Sequence, residues 1–132
     1  MHSLTHLPLL ISGVTVGMIM MQVVIVAPAI FKSLNLKDAG PILRIIFPRL
    51  FSTVLVLAVA SFLISLFFGN GEKEPMIAAA ITTVTMAICY AIVPATNAAK
   101  DSKNEKIFKK LHTSSVLLTL VALISNLGWS FL

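Results

Sequence analysis

Four apolar runs, each long enough to cross a bilayer, dominate this chain. About 20 apolar residues in helical conformation span the hydrocarbon layer. Residues 7–30, 47–68, 75–95 and 111–132 meet that length, and none has Asp, Glu, Lys or Arg in its apolar centre. Lipid offers no partner to a backbone N–H or C=O, so runs of this kind must close their hydrogen bonds internally, as helices do. The expectation is an all-α membrane protein. It comprises one domain, residues 1–132, folded as a four-helix transmembrane bundle with connections at 31–46 and 96–110.

Composition closes off the soluble alternative. The 132 residues are 58% hydrophobic and 11% charged, against about 45–50% and 25% in soluble domains. The first run is followed by Ala27, Pro28 and Ala29, which has the outline of a signal-peptide cleavage site. It lacks the preceding basic residues and is too long for one, and Lys32 and Lys37 follow it. A retained span is expected.

The charges set an orientation. The net charge of +5 comes almost entirely from two stretches: Lys32, Lys37, Arg44 and Arg49, then Lys100, Lys103, Lys106, Lys109 and Lys110. Lys73, between Glu72 and Glu74, is the remaining basic residue. Basic loops stay in the cytoplasm, so both termini are expected outside it. Charges clustered beside spans favour anionic lipid headgroups over nucleic acid, which is not expected as a partner. Arg44, Arg49 and the five clustered lysines are the candidate headgroup-binding residues.

Local signals fit the same frame. Gly69, Asn70 and Gly71 mark a turn, with Pro75 placed to open the third helix. Asp38 is the expected cap of the second helix, and Ser102 with Glu105 has capping-box spacing for the fourth. Gly13 and Gly17 form a GxxxG pair suited to close helix packing, within the bundle or at a homodimer seam. The two halves share an outline: Pro28 and Pro94 end the odd-numbered spans, and "FPRLFST" echoes "FKKLHTS" at the start of the even ones. A duplication would make two parallel-repeat hairpins.

No catalytic arrangement appears. There are no paired acids, no intramembrane carboxylate and no phosphate loop. Cys89, the single cysteine, reads as a small core hydrophobe. His2 and His6 share one end of the chain's path and His112 the other, so the three cannot meet at one metal. Met18 and Met21 share a helical face, but packing is their expected role. No cofactor and no metal are expected.

The segments "VAPAIFKSL", "AGPILRIIFPRLF", "IVPATN" and "FKKLHTSSVLL" resemble the transmembrane protein 205-like family (domain of unknown function 4149), small four-span membrane proteins of bacteria and eukaryotes. The matching landmarks are Pro28, Phe31, Ala39, Gly40, Phe47, Pro48, Pro94, Asn97, Phe108, His112 and Ser115; the family's tyrosine near Leu50 or Phe51 is missing. The resemblance implies a four-helix membrane bundle and brings no agreed activity; a bacterial inner membrane is the expected location. It directs attention to the cytoplasmic interface, where His112, Asn97, Ser115, Pro28 and Pro94 form a candidate polar niche. The expected protein is non-enzymatic, with a basic interface for lipid headgroups, a second copy or another membrane protein. The alternatives are a transport or efflux accessory acting as an oligomer, with a polar seam through Gln22 and the third-span threonines, and a haem-containing redox subunit.

Overall fold

The computed structural model describes residues 2–131, with the side chains of residues 2 and 3 outside that description. A 3-10 turn, His2–His6, leads into α1 (Leu7–Met21). A π-helical turn, Gln22–Val26, then joins α1 to α2 (Ala27–Ser33). The long helix α3 runs Leu36–Phe68, followed by α4 (Glu74–Ala91), α5 (Val93–Asp101) and α6 (Glu105–Ser130). Four continuous helical paths are long and apolar enough to cross a membrane: Leu4–Ser33, Leu36–Phe68, Glu74–Asp101 and Glu105–Ser130. The last predicted position of the fourth span, residue 132, lies outside the described residues.

Helix ends follow local chemistry, with two corrections to the predicted caps. Asn35, not Asp38, caps α3, its side chain accepting the Asp38 N–H at 2.9 Å. Asn104 caps α6 through the Ile107 N–H at 3.3 Å, and Ser102 instead bonds the Ala99 carbonyl. Asn suits both places because its short carbonyl arm reaches an N–H left free in the first turn. The α5–α6 turn is tight: Lys103 takes φ 57, and the Asn104 N–H reaches the Ala99 carbonyl at 2.9 Å. That pattern satisfies the carbonyls at the end of α5.

Proline interrupts both odd-numbered spans but in different ways. Pro28 has no N–H to give and crowds the carbonyl one turn back. The chain before it widens, and the Ala27 N–H bonds the Gln22 carbonyl, five residues earlier. Before Pro94 the helix instead breaks at Ile92 and restarts as α5. In α3, Pro41 and Pro48 are absorbed within one continuous helix.

The buried faces mix small and polar residues with a few large apolar ones, while many large apolar side chains face outward. The buried stripe of the first span is Pro8, Ser12, Thr15, Ile19 and Gln22, which repeats at helical period and is mostly small or polar. In α3 the buried face is Phe51, Val54, Ala58, Ser61 and Ser65; in α4 it includes Ala78, Thr82, Thr85, Met86 and Cys89. Large side chains such as Val56, Phe67 and Ile124 point outward, each about two-thirds or more exposed. Lipid tails are as apolar as leucine, so burying leucine gains nothing there, and small residues that let helices approach are favoured at the contacts.

The helices close a ring: α3 packs on α4, α4 on α6, and α1 touches both α3 and α6. A central cluster of Phe51, Val54, Met86, Cys89 and Ala122 ties α3, α4 and α6 together. By comparison α1 packs sparsely on its two neighbours. Gly13 and Gly17 do not contribute to that packing. A Cβ added at either would meet nothing within 4 Å, so the predicted close contact inside the chain is absent and this glycine face is open.

Candidate functional site

At the end of the molecule away from the chain termini, the basic residues gather on helical extensions. Lys100, Lys103, Lys106, Lys109 and Lys110 are all exposed on α5, the turn and the start of α6. Arg44 of α3 makes a two-pronged ion pair with Asp101 of α5, at 2.5 and 3.2 Å. The pair therefore links the second and third spans, while the lysines around it are exposed. Being exposed, it is a weak, salt-sensitive link.

The predicted niche residues are spread around this end. His112 is exposed and stacks on Phe108, with ring centroids 5.7 Å apart and planes 8° apart. The ammonium of Lys100 lies 4.8 Å from the centre of that same Phe108 ring, a cation–π contact holding α5 to α6. Asn97 is half-buried on α5, and no hydrogen bond among the described residues joins it to His112. The Ser115 carbonyl accepts from Thr119 Oγ1 at 2.7 Å and faces Cys89 Sγ at 3.7 Å. Pro28 and Pro94 are both exposed. His6 is exposed at the opposite end.

Beside the π-turn of the first span lies a lateral groove of about 320 Å³ between that span and α3. Its walls include Met18, Met21, Ile45 and Leu50, with Gln22, Arg49 and Thr53 as the polar lining. Gln22 is 6% exposed and its amide Nε2 has no hydrogen-bond partner. A smaller cavity, about 130 Å³, opens at the other end between the 3-10 turn and the α3–α4 turn. Ser65 lines it, and its hydroxyl is also buried and unpartnered.

The buried polar groups Ser12, Thr82 and Asn126 are, in contrast, paired with one another. Asn126 of α6 accepts from Ser12 of α1 at 2.8 Å and donates to Thr82 of α4 at 2.8 Å. Trp129 Nε1 donates to the same Ser12 hydroxyl at 2.7 Å. Three helices are thus cross-linked through one buried amide. Thr82, Thr83 and Thr85 each return their own proton to a carbonyl of α4. The third-span threonines are accordingly spent on structure, and Gln22 lies in the separate groove.

The family model for a domain of unknown function, DUF4149, matches residues 10–105. The chain belongs to the DUF4149 family. No curated protein and no solved structure matches it. The matched region of this DUF4149 protein runs from within the first span through the third and includes both basic stretches up to the start of α6. It includes the groove residues Met18 to Thr53 and the Arg44–Asp101 pair. Phe108, His112, Ser115 and Asn126 lie beyond it.

Two features of this DUF4149 chain escape a linear reading. The Ser12–Asn126–Thr82 junction joins residues far apart in sequence, although the helical spacing of Ser12, Thr15, Ile19 and Gln22 was a visible trace of its polar face. The groove had only Gln22 as a marker, because its second wall comes from a different helix.

Proposed function

We propose that this protein is a non-enzymatic, four-helix integral membrane protein whose basic end engages anionic lipid headgroups. It resides in a bacterial inner membrane with both termini outside the cytoplasm. The observation carrying this reading is the set of five exposed lysines on α5, its turn and the start of α6, at the end where α3 also presents Arg44 and Arg49. Asp101 is neutralised there by Arg44, so the free charge is positive. Each basic group near an anionic leaflet contributes about 1 kcal/mol, which makes the cluster a strong local attractor.

Spin-labelled lipid in the first shell around the reconstituted protein tests this. Phosphatidylglycerol should be enriched over phosphatidylcholine, and changing all five lysines to Gln should bring the ratio close to one. High salt should do the same to the unaltered protein. Enrichment that survives both treatments would mean that the lysines only set topology.

Orientation has its own measurement. In a Cys89→Ala background, Lys73→Cys should react with an impermeant maleimide from outside intact cells. Lys103→Cys should react only after permeabilisation. The opposite pattern would invert the protein in the membrane.

A further inference from the structure

The groove beside the π-turn presents two nitrogen donors, with the Thr53 hydroxyl as its remaining polar lining, and no carboxylate. Gln22 Nε2 is buried and unpartnered on one wall. On the other, Arg49 has no acidic partner among the described residues, whereas Arg44 is engaged by Asp101. An unpaired buried amide is a costly arrangement, and the exposed Arg49 guanidinium at the edge of its span has no counter-charge among the described residues. An occupant that relieves both must carry oxygen acceptors and negative charge. It must also be apolar along most of its length, because Met18, Met21, Ile45 and Leu50 form the walls. A cation would be repelled by Arg49, and an apolar helix from a second copy would leave both donors unpaired.

We infer that the groove binds one anionic glycerophospholipid: its phosphate on Arg49, an ester carbonyl accepting from Gln22 Nε2, and one acyl chain between α1 and α3. Arg49 lies within a turn of the start of its apolar run, so its long side chain reaches the headgroup level while its stem stays in hydrocarbon. The methionines suit a flexible chain because the thioether side chain adapts its shape. Sparse packing of α1 on α3 leaves the space open. This deepens the proposed function, naming a discrete site at the same basic end rather than a diffuse attraction.

Native mass spectrometry of the full-length protein, titrated separately with phosphatidylglycerol, phosphatidylcholine and oleate, tests the site. One phosphatidylglycerol per chain should be retained in preference to the other two. Arg49→Gln should weaken that retention about tenfold and Gln22→Leu about fivefold, the worth of a charge-assisted and a neutral hydrogen bond respectively. Gln22→Leu also removes an unpaired donor from the interior, so in lipid-free detergent its thermal midpoint should equal or exceed that of the unaltered protein. Its further rise on adding phosphatidylglycerol should nevertheless shrink. The five-lysine variant should keep the single tight lipid even if it loses the surrounding enrichment, which separates this site from the headgroup surface. Equal retention of phosphatidylcholine, tighter binding of oleate, or unchanged affinity in both groove variants would overturn the proposal. So would a dimer that excludes lipid.

Discussion

Replacing Asn126 by leucine should lower the stability of the folded protein by about 1–3 kcal/mol, through two interhelical hydrogen bonds worth roughly 0.6–1.7 kcal/mol each. Asn126 is 4% exposed and bonds both Ser12 and Thr82. Leucine fills much of the same volume, so the loss reports the bonds more than a cavity. Thr82 keeps its own bond to the Ala78 carbonyl, but the Ser12 proton loses its acceptor. Ser12→Ala should cost less, because it removes one of the two Asn126 contacts and strands Trp129 Nε1 only at a half-buried position. In reversible unfolding from mixed micelles, the Ser12→Ala and Asn126→Leu effects should be non-additive, since they break a shared bond. Additive costs would mean that the two side chains are not coupled. Because α1 is otherwise sparsely held, its separation from α6 should be the part of the fold most affected.

Gly69→Ala is the second large expectation. A Cβ at Gly69 would run into the backbone carbonyl of Ser65, which cannot swing aside as a side-chain tip would. Relief requires the end of α3 or the following turn to shift. Overpacking of this kind costs about 1–3 kcal/mol, read in the same unfolding measurement. Gly71→Ala provides a contrast: its φ of +84 disfavours any Cβ, but no neighbour stands within 4 Å. The cost there should be about 1 kcal/mol, from backbone conformation alone. Should Gly69→Ala be no worse than Gly71→Ala, the steric account of the α3 terminus fails.

These two sites differ in how far a sequence reader can see them. The Gly-Asn-Gly turn is local chemistry, and its position between two apolar runs was evident. The reason Gly69 tolerates no side chain is not evident, because it depends on how the last turn of α3 folds back. Asn126 stood out as a rare amide within a span, yet its partners come from residues 12 and 82 on two other helices. Pro28 marked the end of the first span in the sequence, but the π-turn before it, beside the groove, is seen only in the structure. Gly13 and Gly17 illustrate the converse. Their spacing implied close packing, within the bundle or at a homodimer seam, but the rotation of α1 turns them outward and presents Ser12, Thr15 and Gln22 to the interior.

What the sequence by itself determined is the solvent of this protein and the length and number of its crossing helices. Those follow from additive quantities, apolar transfer and backbone hydrogen bonding, summed along each run. The placement of basic residues beside particular spans is equally one-dimensional. Only the tertiary structure decided which face of each helix turns inward, because large apolar residues lie on both inward and outward faces and hydrophobicity alone no longer distinguishes them. Small steric fits and a few buried hydrogen bonds make that choice. They left Ser12, Thr82 and Asn126 satisfied with one another, and Gln22 and Arg49 facing a groove without a partner.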